Sequence, residues 1–113
     1  MFLQQKKDKA MDDRCEKVCK HALEAIYAVS GYTLDDLSSS DRREPLVFYR
    51  QIFCKICADA GVDHEEVAKM INRHRSTVYS SIAPFKEDRK YNVELYRLWD
   101  KVHKKMGRYG RSV

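Results

Sequence analysis

The sequence has few chain breakers. It holds four glycines and two prolines, Pro45 and Pro84, in 113 residues. A β-sandwich needs a turn roughly every ten residues, so this scarcity argues for an all-α fold. No apolar run approaches the roughly 18 residues of a membrane span. The start, MFLQQKKDKAMDDR, turns charged early and lacks the apolar stretch of a signal peptide. The expectation is a cytoplasmic protein with no membrane partner.

Catalytic and metal-binding patterns are also missing. The glycines at 31, 61, 107 and 110 cannot build a G-x-x-x-x-G-K-[ST] phosphate loop. His21, His64, His74 and His103 lack metal-ligand spacing, and no serine elbow or carboxylate pair marks a pocket. The expectation is a non-enzyme with no cofactor and no metal. Four cysteines are present. Cys15 and Cys19 are spaced i, i+4, and Cys54 and Cys57 are spaced i, i+3, each pair within an amphipathic helical pattern. Zinc pairs usually sit in knuckles, so these read as small apolar core residues in a reducing compartment.

Charge is unevenly placed. The net charge is +5, but residues 1–90 carry 16 basic and 15 acidic side chains. Residues 91–113 carry six basic and two acidic ones, so the excess lies at the C-terminus. A polyanion partner fits this balance.

Periodicity then lays out the helices. Cys15, Val18, Cys19, Ala22, Leu23, Ile26 and Val29 recur at three- and four-residue steps, which predicts a helix from about Asp8 to Val29. Gly31 suits the left-handed position after it. Thr33 reads as the N-cap of a short helix, with Asp36 at N3 and Leu34 and Leu37 as anchors. A polar loop, SSSDRREP, precedes a long helix from about Leu46 to Ala60. Asp63 and Glu66 read as a capping box for the next helix. A last helix is predicted over Lys90–Lys105, with Val93, Tyr96, Leu98, Trp99 and Val102 apolar and Tyr91 also read as core. The domain is expected to span 1–106, with a disordered tail at 107–113.

The segment from His64 to Ile82 has the pattern of a helix-turn-helix. Val67, Ala68, Ile71 and Val78 occupy the positions that seat two crossing helices, with small Ala68 at the crossing. Asn72 tolerates the positive φ of a tight turn. The second helix would then point His74, Arg75, Ser76, Thr77, Ser80 and Ser81 outward. Arginine and histidine can donate to guanine edges, and hydroxyls can bond phosphates or bases.

The span from about Ala25 to Phe85 resembles the C-terminal DNA-binding domain of the bacterial replication initiator DnaA. AIYAVSGYTLDDL resembles that family's entry helix, tyrosine turn and short Asp-Leu helix. Arg50-Gln51 resembles the pair at the head of its long central helix, after a basic loop. Arg73-His74-Arg75-Ser76-Thr77-Val78 resembles its Arg-Asp-His-Ser/Thr-Thr-Val signature. The resemblance implies an all-helical fold, a bacterial or phage setting, and double-stranded DNA as partner. It implies a recognition helix in the major groove, with contacts on Arg73, Arg75, Ser76 and Thr77. It also implies a backbone and minor-groove role for Arg50, Arg42 and Arg43.

The chain departs from that family in three places. His74-Arg75 stands where the family has Asp-His, so the usual acceptor for cytosine is absent. The turn at Ile71-Asn72 is one residue shorter, and Asp41 and Glu44 dilute the basic loop. These departures imply a different sequence preference. The absent phosphate loop implies a stand-alone binding domain without the family's ATPase, with an added C-terminal helix. The alternative reading is a protein-interaction module that kept the fold and lost DNA binding. The first and last helices are candidates for a homodimer or protein-partner surface.

Overall fold

The computed structural model describes residues 13–111. Its first helix, α1 (Asp13–Ser30), buries Cys19, Ala22 and Ile26 of the predicted stripe, and Ala25 beside it. The part of that helix expected at residues 8–12 lies outside the described residues. Ser30 closes α1: its hydroxyl donates to the Ile26 carbonyl at 2.7 Å and accepts from the Tyr32 amide at 3.0 Å. Gly31 then takes φ 85°, a conformation that disfavours any side chain.

α2 (Leu34–Leu37) starts at the expected N-cap Thr33, and the structure completes it as a capping box with Asp36. The Thr33 amide donates to Asp36 Oδ2 at 2.8 Å, and the Asp36 amide donates to Thr33 Oγ1 at 3.4 Å. The loop beyond it leads to α3 (Leu46–Asp59). This helix is apolar nearly all round, as a buried central helix must be. It buries Leu46, Tyr49, Arg50, Ile52, Phe53, Cys54, Ile56 and Cys57. Every other helix packs against it. Gly61, at φ 90°, turns the chain into α4 (His64–Met70) and α5 (Arg75–Ile82).

Two 3-10 turns, Ala83–Lys86 and Arg89–Tyr91, lead to α6 (Val93–Arg111). This last helix lies along α1 and α3. It sends Leu95, Tyr96, Leu98, Trp99, Val102 and Met106 into the same core as the other helices. The 3-10 segment folds back over it, because Tyr96 Oη donates to the Phe85 and Glu87 carbonyls at 2.9 Å each. Phe85 also packs on Trp99 with ring centres 5.1 Å apart.

Three expectations change here. α6 begins at Val93 rather than Lys90 and continues past Lys105, so residues 107–111 of the expected tail are helical. Its apolar stripe reaches Met106, and Gly107 keeps an ordinary helical conformation. Tyr91 and Val93 are 69% and 65% exposed rather than core, because the stripe starts at Leu95. No strand occurs among the described residues, and the fold is all-α. No helix among them is long and apolar enough to cross a membrane.

No disulfide joins the cysteines, and Cys19, Cys54 and Cys57 are buried, Cys19 and Cys57 at the α1–α3 contact and Cys54 beside Ser81 of α5. Cys19 and Cys57 sulfurs lie 3.3 Å apart in hydrogen-bond contact. Burial pushes the Cys54 thiol up to about 12. The hydrogen bond to Cys19, then burial, pushes Cys57 well above its ordinary value.

Candidate nucleic-acid interface

α4 is capped by Asp63, whose carboxylate accepts from the Glu65 amide at 3.0 Å. The expected reciprocal arm from Glu66 is missing, since Glu66 pairs instead with Lys69 one turn on, at 3.6 Å. The helix ends as a glycine-type C-cap would, with Asn72 at φ 56°. Arg73 N–H returns to the Ala68 carbonyl at 2.9 Å, and Asn72 N–H to the Lys69 carbonyl at 3.2 Å. These two bonds satisfy carbonyls that the helix end leaves open. Val67, Ala68, Ile71 and Val78 are all buried where α4 meets α5, as the spacing predicts.

His74 starts α5 as its N-cap. Its Nδ1 accepts from the Ser76 amide at 3.2 Å, so that nitrogen is a cap rather than a groove contact. Beyond it, Arg75, Ser76, Tyr79 and Ser80 are exposed, and Thr77 is half-buried. Ser81 was expected to point outward but is buried, because Val78 and Ser81 form the face toward the core.

The 38–45 loop, the head of α3 and the side of α5 enclose a cleft of about 450 Å³. Arg42, Arg50, Gln51, Arg73, Thr77 and Ser80 line it. Five of the nine candidate residues thus meet at one place. Arg42 is exposed at the rim.

Arg50 and Arg73 sit differently from what the resemblance implies. Arg50 is 6% exposed. Its Nε donates to the Leu37 carbonyl at 2.6 Å, and Nη2 to the Asp41 and Ser39 carbonyls at 2.9 and 3.3 Å. Arg73 is half-buried and donates to the Ser39 carbonyl at 2.6 Å and the Ile71 carbonyl at 3.0 Å. Both guanidiniums therefore clamp the loop to the helices. The cause is local: the C-terminus of α2 and the loop expose carbonyls that lack backbone donors, and a forked guanidinium can reach several at once. Burial, then the neighbouring Arg73, lowers the Arg50 pKa from its ordinary value. Neither arginine has a carboxylate in hydrogen-bond contact, and Asp41 acts on Arg50 only at longer range.

Two other candidate arginines meet carboxylates. Arg43 makes a forked pair with Asp41, at 3.1 and 2.8 Å, which pulls the Asp41 carboxyl down to about 2. Arg75 Nη1 lies 3.5 Å from Glu65 Oε1, an exposed pair. Sequence reasoning missed Gln51 as a cleft-lining residue and Tyr79 as part of the outward face of α5. Gln51 follows Arg50 at the cleft wall, and Tyr79 is one helical turn after Arg75. An i, i+4 reading of the outward face finds Tyr79. No cluster of three or more metal-ligating side chains occurs among the described residues.

Comparison with family models, curated proteins and solved structures returned no match to this chain.

Proposed function

We propose that this chain binds duplex DNA, laying α5 in the major groove with the 38–45 loop on the adjacent backbone. The observation that carries this reading is the outward face of α5. Arg75, Ser76 and Ser80 are exposed there, beside a cleft that gathers Arg42, Arg73 and Thr77. α5 itself, RSTVYSSI, has no acidic side chain to repel phosphates. A guanidinium next to short hydroxyls suits guanine edges and phosphate oxygens. The likeness of residues 25–85 to the replication initiator's DNA-binding domain supports the same docking. The His74-Arg75 replacement gives it a different base preference.

Selection of bound duplexes from a random pool tests the proposal. Arg75→Ala is expected to weaken binding to the selected site by about 1–3 kcal/mol. Affinity should fall steeply with salt, since phosphate contacts release counterions. Full affinity in Arg75→Ala removes that residue from base contact. Salt-insensitive binding overturns the proposal.

One observation favours the second reading, a protein-interaction module. Asp41 and Glu65 already occupy Arg43 and Arg75, so carboxylates interrupt the basic surface. A pool that yields no selected duplex supports that reading.

A further inference from the structure

The outward face of α5 carries one large side chain among small and charged ones. Tyr79 is 55% exposed, while its neighbours toward the core are Val78 and Ser81. The ring is not loose. It stacks on His64 with centroids 4.3 Å apart and planes 21° from parallel. His64 is the first residue of α4, and the next residue, Glu65, meets Arg75. Consecutive side chains of α4 therefore hold two residues one turn apart on α5. Positions 75 and 79 share a helix face, with their Cβ atoms about 6 Å apart. A side chain ordered in advance loses less freedom on binding.

We propose that Tyr79 is a base-reading residue: its ring packs on the 5-methyl group of a thymine in the major groove. His64 is the positioning residue behind it. This rests on the duplex-binding reading of the Arg75 face. Thymine is the base that offers an apolar group on its major-groove edge, which matches a ring rather than a donor or acceptor. Arg75, alongside, addresses a neighbouring base pair. His64 Nε2 is buried without a hydrogen-bond partner, so the imidazole serves here as a flat surface.

The test uses the full chain and the duplex it selects. Each thymine of that duplex is replaced in turn by uracil, which removes only the methyl group. For the wild type, one replacement should weaken binding about three- to fivefold, the worth of one buried methyl. In Tyr79→Ala that ratio should fall to about one at the same position, by the same bookkeeping. Other positions should stay unchanged. Tyr79→Phe should keep the ratio, because the ring and not the hydroxyl makes the contact. His64→Ala should lower it at that position alone. Tyr79→Gln serves as a second non-aromatic variant if Tyr79→Ala folds poorly, with unfolding midpoints checked for each.

A uracil effect that survives loss of the ring overturns the proposal. So does a selected site with no methyl-sensitive thymine. If Arg75→Ala still weakens binding in either case, only the role of Tyr79 falls. If no duplex is selected at all, the duplex-binding reading falls with it.

Discussion

Arg50 donates to three carbonyls from two elements while almost fully buried. Truncation to alanine leaves the Leu37 and Asp41 carbonyls without that donor, while Ser39 keeps only Arg73. Arg50→Ala is expected to destabilise the fold by about 2–4 kcal/mol in urea unfolding. Arg50→Lys should recover little, because one ammonium cannot span the acceptors that the planar fork reaches. Lysine restoring wild-type stability would show that charge, not the fork, holds the loop. Asp41 makes the opposite kind of contact, exposed and charge-paired. The Arg43 side chain, then the Arg43 amide, hold its carboxyl at about 2 against an ordinary 3.8. A depressed folded-state pKa contributes stability above the unfolded value and loses it as pH falls through the folded one. Carboxyl NMR should therefore find Asp41 titrating near 2, with loop order fading between 3.8 and that pH. Arg43→Ala should return the midpoint toward 3.8. A midpoint unchanged by Arg43→Ala contradicts the pairing. At this scale the sequence marks Arg50 and Arg73 as cations near the site. Their inward turn is illegible there, because it depends on which loop carbonyls are left open.

At the scale of elements, local chemistry explains most of the boundaries. Thr33 and Asp36 box the start of α2, and Asn72 at φ 56° ends α4. Asn72→Gly should stay within about 0.5 kcal/mol of wild type, since relief of the left-handed backbone offsets added chain entropy. Asn72→Val should destabilise by about 1–2 kcal/mol, because a branched Cβ crowds that conformation. Equal urea midpoints for all three would mean that the turn relaxes to another geometry. Where local reading failed, a competing contact is visible. Glu66 has the spacing of a capping box but pairs with Lys69. Gly107 looks like a stop, yet a glycine ends a helix where the chain takes positive φ, as at Gly31 and Gly61. Past Lys105, α6 keeps an apolar position at Met106.

For the whole molecule, α6 is part of the one core rather than an addition to it. Leu95, Tyr96, Leu98, Trp99, Val102 and Met106 all join the cluster built around α3. Each such side chain contributes about 1.5–3 kcal/mol on burial. Their sum is comparable to the roughly 5–15 kcal/mol that holds a small domain folded. A chain ending at residue 92 should therefore lose cooperative unfolding and most of its far-UV helical signal. A stable, cooperative fragment would show instead that the family-like span of 25–85 folds alone. The sole tryptophan, Trp99, is buried against Phe85, and its emission should report the same transition in the full chain. The sequence by itself determined the helical class, the order of the helices and the left-handed turns. Those follow from periodicity and from the few residues that tolerate positive φ or cap an amide. Only the tertiary structure decided which cations face outward. Arg50 lies on α3, Arg73 in the turn after α4 and Tyr79 on α5, and the packing of these elements on one another sets where each side chain points. A residue pattern counts positions along one helix but cannot see the carbonyl or ring that another segment brings beside it.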